Sequence, residues 1–369
     1  MKNSIKNFLL VIVLGLFIFA FSFMFLFGKD KVYSETERRV LENFPELSVE
    51  TVLDGTFMDK LETYSLDQFP FRDAMRKIKA FAEYFVFGNS EVNDYYLSEG
   101  HISKIEYPKN DTMLDNSAKV FNKIYEKYLK DTDANIYFSM VPDKGAYLAD
   151  KAGVLKIDYK TFAQDMLSRF DKAEYIDVFD MLSAEDYYFT DPHWRQEKIT
   201  DIAEHLSNSM GNAFVGEYTV NELDVPFCGA YYSQAALPSK SEKLYYLTND
   251  IIDSCIVKNV ETSLGTPAEM YNMEKAHGRD PYEMYLEGSR ALITIENPLA
   301  DNDEHLVLFR DSFGSSIAPL LTQGYAKITV VDIRYISSDV LSNFVDFESA
   351  DDVLFLYSTV ILNNSLAFK

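Results

Sequence analysis

Cysteine is scarce in this chain. Only Cys228 and Cys255 occur among 369 residues. They have no zinc-type spacing, and they allow at most one disulfide within the chain. One disulfide and two buried thiols both remain open, and so few cysteines leave export undecided. Basic charge is short as well. Lys and Arg number 35 against 58 Asp and Glu, a formal net charge of −23. Phosphate binding needs clustered cations, so nucleic acid is excluded as a partner, as is adhesion of the main body to anionic lipid. With five histidines and one tryptophan, any histidine-based site has few candidates. Internal repeats and low-complexity linkers are missing too.

Apolar residues are not scarce. They make up 47% of the chain and aromatics 15%, which rules out a disordered chain and is enough for a large core or two modest domains. From Phe8 to Gly28 they run without a charge, long enough to span a bilayer as a helix. A cleaved signal peptide would have a shorter apolar stretch and a small-residue cleavage site. Lys2 and Lys6 favour a cytoplasmic N-terminus, although Lys29 and Lys31 blunt the contrast. The expectation is a cytoplasmic segment 1–7, a retained signal anchor 8–28 in the cell membrane, and everything after it extracytoplasmic. Residues 29–92 read as helical and juxtamembrane, with Phe57, Leu61, Tyr64 and Phe69 on one face. Met75, Ile78, Ala82 and Phe85 resume helical spacing after Pro70. A stalk packed on the main domain and a platform for a membrane partner are the two readings of this region.

Residues 93–369 alternate strand and helix signals. Tyr95 to Ser103 reads as a hairpin about Glu99-Gly100, Ile136 to Val141 as a buried strand before the turn Pro142-Asp143-Lys144-Gly145. Asp115 to Leu129, Phe162 to Phe170 and Arg195 to Met210 read as helices, and Glu174 to Phe179, Lys327 to Ile333 and Asp352 to Tyr357 as strands. The pattern predicts an α/β domain with a parallel sheet flanked by helices. It is interrupted at about 213–303 by an irregular, tyrosine-rich insertion. Those tyrosines are either ordinary strand residues or the lining of a sugar groove beside the site.

The stretch that organises the rest is Leu306-Val307-Leu308-Phe309-Arg310-Asp311-Ser312-Phe313-Gly314. It is a short apolar strand running into two helix-capping residues. A serine there stands at the carboxyl end of a sheet, where open α/β folds bind ligands. The N–H groups of the new helix point to the same place and are candidates for holding an oxyanion. Helix capping is the plainer role of Ser312 and Asp311. A serine hydroxyl needs a base, and Thr190-Asp191-Pro192-His193-Trp194 offers one. In an extended segment Asp191 and His193 would face one side, so the carboxylate could orient the ring. The Asp-Pro pair also suits a plain turn. Trp194 walls the imidazole or packs in the core. Asp201 and His205 are four apart but lack a third ligand, and Asp131 to Asn135 lacks the glycine and glutamate of a calcium loop. No metal and no cofactor is expected.

Five stretches in order carry a resemblance: Glu37 to Pro45, Asp67 to Asp73, Val141 to Lys144, Thr190 to Trp194 and Phe309 to Gly314. The sequence resembles the DHHW family of bacterial surface proteins. More distantly it is similar to the SGNH-hydrolase-like domains of alginate and other polysaccharide O-acetyltransferases. Pro192 replaces the first histidine of the family's Asp-His-His-Trp signature and spares Asp191 and His193. The resemblance implies an SGNH-like fold and a triad of nucleophile Ser312, base His193 and orienting Asp191. It implies acetyl transfer to a polysaccharide through an acetyl-serine, with a multi-spanning membrane acyltransferase as donor. Glycan deacetylation by the same triad and a non-catalytic glycan-binding or assembly role are the rivals. Lys144, Trp194 and Arg334 are the candidate substrate-binding residues.

Overall fold

The computed structural model describes residues 2–34, 36–37, 39–214, 216–261 and 265–369. Arg38 of the Glu37–Pro45 stretch, and Val215 and residues 262–264 of the insertion, lie outside the described residues. The chain forms two compact units. One holds the residues up to Asn89 together with Ser233–Pro238, and the other holds Ser90–Tyr232 and Ser239–Lys369.

In the first unit Lys2–Phe27 is one helix, of which Ile5–Phe27 is long and apolar enough to cross a membrane. Helices Val49–Leu53, Thr56–Asp67 and Arg72–Phe81 follow, the last continuing as a π-helical turn Ala82–Val86. Two of the sequence stretches meet here. Arg39 Nη1 donates to Asp67 Oδ2 at 2.9 Å, as does the Glu42 N–H. Gln68 Nε2 donates to the Glu42 carbonyl, Arg72 pairs with Glu37, and Thr36 Oγ1 donates to Asp73 Oδ1 at 2.8 Å. The Arg39 hydrogen bond holds the Asp67 carboxyl below the usual carboxylate range. Glu37 to Pro45 and Asp67 to Asp73 are thus two halves of one polar lock.

The second unit is built on an eight-stranded sheet. Its strands are β1 Asn135–Val141, β2 Glu174–Tyr175, β3 Ile256–Asn259, β4 Thr266–Pro267, β5 Leu292–Glu296, β6 His305–Arg310, β7 Lys327–Val331 and β8 Asp352–Ser358. Their order is β4-β3-β5-β7-β6-β8-β1-β2. The strands from β7 to β2 pair parallel, while β5, β3 and β4 are joined on by antiparallel pairing. The insertion is therefore less irregular than its sequence suggests. Three of its short strands extend the sheet beyond the parallel core.

The central strands are buried on both faces, as their unbroken apolar runs require. Leu306, Leu308, Leu354 and Leu356 pack with helix Phe313–Leu321 and helix Thr200–Ser209 on one face. Val307, Phe309, Val353 and Phe355 pack with helices Asp111–Ile124 and Tyr159–Arg169 on the other. Other sequence expectations need trimming. Only Glu174–Tyr175 of the expected strand pairs, and the helix expected from Arg195 starts as a 3-10 turn Gln196–Lys198 before Thr200. A helix missed in the sequence, Gly145–Ala152, follows the turn after β1. The hairpin Tyr95–Ser98 with His101–Lys104 turns through Glu99 and Gly100, both at positive φ. Cys228 and Cys255 are half-buried and form no disulfide.

Candidate active site

Because β1, β6, β7 and β8 run parallel, their carboxyl ends open on one edge of the sheet. At the end of β6 the chain turns through Asp311 and Ser312 into helix Phe313–Leu321. The two caps divide the labour. Asp311 Oδ1 accepts the Phe313 N–H at 2.9 Å, and Oδ2 accepts the Ser358 N–H at 2.8 Å, tying the turn to the end of β8. Ser312 makes no side-chain cap. Its half-buried hydroxyl is left for another partner.

That partner is His193, whose Nε2 lies 2.7 Å from Ser312 Oγ. The other ring nitrogen, Nδ1, lies 2.6 Å from Asp191 Oδ1. The segment is not extended, however. Residues 189–193 form a bend closed by the Tyr188 N–H donating to the His193 carbonyl. The His193 N–H also donates to Asp191 Oδ1, at 3.1 Å. The turn that Asp191-Pro192 favours is what brings carboxylate and imidazole together.

This loop is clamped from both sides. The Lys144 ammonium donates to the carbonyls of Tyr188 at 2.8 Å, Asp191 at 2.9 Å and Phe189 at 3.3 Å. Glu242 accepts from the Phe189 N–H, the Thr190 N–H and the Thr190 hydroxyl, all within 2.8 Å. Burial pushes the Lys144 amine down to about 7 and the Glu242 carboxyl upward. Asp191 Oδ2 accepts the Ala230 N–H at 2.8 Å. The His193 ring lies between two aromatics. Tyr282 stacks on it at 3.8 Å and 7°, and Phe313 leans on it at 4.9 Å. The Tyr282 hydroxyl is 2.8 Å from Ser316 Oγ, which in turn accepts from Trp194 Nε1 at 2.9 Å.

The three candidate substrate-binding residues are bonded to other protein groups. Lys144 and Trp194 are 1% and 0% exposed, Lys144 bonding to loop carbonyls and Trp194 to Ser316. Arg334, half-buried at the end of β7, commits Nε and Nη2 to Asp332, which also pairs with the buried Arg310. The helix N–H groups are likewise mostly taken. Those of Phe313, Gly314 and Ser315 go to Asp311 Oδ1, the Asp311 carbonyl and the Ser312 carbonyl. Tyr231, Tyr271, Tyr282 and Tyr285 are packed inside rather than lining an open groove.

With this geometry in view, the solved structures can be compared. The fold matches a DHHW family protein from Eubacterium siraeum at TM-score 0.58 and 18% identity, covering 75% of this chain and 94% of that one. It matches Bacillus cereus PatB1, solved with a sulfonyl adduct, at TM-score 0.59 and 20% identity, covering 74% and 97%. The fold is DHHW-like. The O-acetyltransferase domain of Pseudomonas putida AlgJ matches more loosely, at TM-score 0.45 and 11% identity over 73% of this chain and 92% of that one. No protein-family model and no curated protein matches the sequence.

Several residues of this candidate site escaped the sequence reading. Gly229, Ala230, Glu242 and Tyr282 all come from the insertion, which packs against the Asp191 loop and the His193 ring. None sits in a local pattern that sets it apart. Asp311 was visible as a cap, and its second bond to β8 was not.

Proposed function

We propose that this protein is a serine-dependent acyltransferase that moves an acetyl group onto a polysaccharide hydroxyl outside the membrane. The observation that carries the reading is the unbroken relay Asp191–His193–Ser312, with contacts of 2.6 and 2.7 Å. His193 Nε2 takes the proton as Ser312 Oγ attacks the acyl carbonyl. The Asp191 carboxylate holds the imidazolium that results. In this reading the Ser312 N–H, at the start of the helix, donates to the developing oxyanion. Collapse releases the donor's leaving group, which takes the proton from His193, and leaves an acyl ester on Ser312. In the second half His193 removes the proton of a sugar hydroxyl, whose oxygen attacks the ester, and Ser312 Oγ leaves as it takes that proton from His193. The acyl donor in this reading is a multi-spanning membrane acyltransferase, kept near by the apolar helix Ile5–Phe27 acting as anchor. The resemblance to the DHHW family supports the acetyl group and the glycan in this reading, and the relay supports the ester chemistry.

A sulfonyl probe tests the relay without the natural substrates. Phenylmethylsulfonyl fluoride should add one sulfonyl group to the full chain, on Ser312, with loss of fluoride. Ser312→Ala should stay folded, losing about 1 kcal/mol with the hydrogen bond to His193, and take up none. Labelling or p-nitrophenyl acetate turnover by folded Ser312→Ala at the wild-type rate would sink the proposal. Mass spectrometry of a glycan acceptor separates transfer, which leaves an ester on the sugar, from hydrolysis, which leaves acetate.

A further inference from the structure

The apolar stripe of the first unit is used by nothing described so far. Phe71, Met75, Ile78, Ala82 and Phe85 fall at i, i+4, i+7, i+11 and i+14, on one side of helix Arg72–Phe81 and its continuation Ala82–Val86. That side is open. Phe71 is 62%, Ile78 61% and Phe85 50% exposed, with Phe81 beside them at 52%. The opposite side is occupied by protein. Ala80 is fully buried there, and Arg76 donates to the carbonyls of Ser233 and Gln234 in the same unit. Lys77 and Lys79 flank the stripe. A contiguous apolar face of this length calls for a partner.

Its position along the apolar helix says which partner. Phe21 packs against Phe69 at 5.6 Å and against Phe71 at 6.3 Å. Phe21 lies about 9 Å before the Phe27 end of that helix, at roughly 1.5 Å per residue. The 23 residues of Ile5–Phe27 extend about 35 Å, against a hydrocarbon core of about 30 Å. Even if the whole excess of about 5 Å emerges at this end, Phe21 stays below the hydrocarbon boundary. Phe69 and Phe71 are beside it. Phe71 also holds a left-handed backbone, φ 56°, which a bulky residue rarely adopts.

We propose that Phe69-Pro70-Phe71 enters the leaflet alongside the anchor and that the stripe from Phe71 to Phe85 lies flat in the bilayer interface. Lipid acyl chains are its occupant, and Lys77 and Lys79 extend to the headgroups. The inference rests on Ile5–Phe27 being the anchor. It gives the first unit a second point of attachment, which fixes its rotation about the anchor.

The test uses the full chain with Cys228→Ser and Cys255→Ser, alone in phosphatidylcholine–phosphatidylglycerol nanodiscs. A nitroxide is attached through Val13→Cys, Lys77→Cys, Ile78→Cys or Phe85→Cys, one at a time. Relaxation by oxygen is then compared with relaxation by a water-soluble nickel chelate. Labels at 78 and 85 should favour oxygen several-fold, as the label at 13 does, and the label at 77 should favour nickel. Labels at 78 and 85 favouring nickel while 13 favours oxygen would overturn the proposal and leave the anchor standing. That is also the result a protein occupant would give in discs that lack it. A label at 13 favouring nickel would remove the anchor and this inference with it.

Discussion

A Cβ built on Gly229 would stand 2.2 Å from the Asp191 Cβ and 2.6 Å from its Cα. Backbone cannot yield to a clash of that depth without moving the Asp191 loop. Gly229→Ala is therefore expected to slow sulfonylation of Ser312 by about 10- to 100-fold, because small displacements of catalytic groups are costly. The stability loss should be modest, about 1–3 kcal/mol. Stopped-flow labelling beside a urea melt separates the two effects, and an unchanged labelling rate would contradict the tight fit. Tyr282 makes a matching case. Tyr282→Phe keeps the ring stacked on His193 and loses only the hydroxyl contact to Ser316, so it should label at nearly the wild-type rate. Tyr282→Leu removes the stack and should label more slowly. Equal rates for the two variants would mean that the ring does nothing for His193.

The loop of residues 188–193 has too little regular structure to hold itself. An ammonium gathers its carbonyls and a carboxylate gathers its N–H groups. Lys144→Met would leave up to three carbonyls without that donor in a dry setting, and should cost about 3–5 kcal/mol in urea unfolding. A loss below about 1 kcal/mol would mean that water or another donor replaces the ammonium. The same loop shows what the sequence could and could not reveal. The Asp191–His193 spacing was legible because a two-residue separation is a local fact. So was β6, where four apolar residues end at two capping residues. Lys144 was noticed for its motif and left open between a substrate contact, a supporting residue and a surface charge, because its burial is not a local fact. Glu242 and Gly229 act through contacts dozens of residues away, and no local pattern reports such contacts. Strands β3 and β5 were hidden by their brevity and by half-buried polar positions such as Lys258 and Thr294 among the apolar ones.

For the molecule as a whole, acid stability carries a signature that one histidine should expose. His305 sits at the start of β6, bonded to Thr329 Oγ1 at 2.8 Å and to Ser349 at 3.1 Å. Burial pushes its ring down to about 4 from the ordinary 6.5. Between those values the unfolded chain holds a proton that the folded one refuses. The stabilisation from the neutral ring is thus complete above pH 6.5 and lost as pH falls through 4. His305→Gln lacks this dependence, so its deficit against wild type should shrink from pH 7 to pH 4.5 in parallel urea titrations. A deficit that stays constant or grows would mean that the ring is protonated in the fold. The order of strands has a different consequence, one of timing. β8 is the last strand of the sheet in chain order, yet it lies between β6 and β1 and bonds to both. As the chain is made from its N-terminus, His193 and then Ser312 exist well before the strand that joins β6 to β1. A chain stopped at Ala350 would carry Asp191, His193 and Ser312 without β8 to bridge β6 and β1, and phenylmethylsulfonyl fluoride is expected to leave its Ser312 unlabelled.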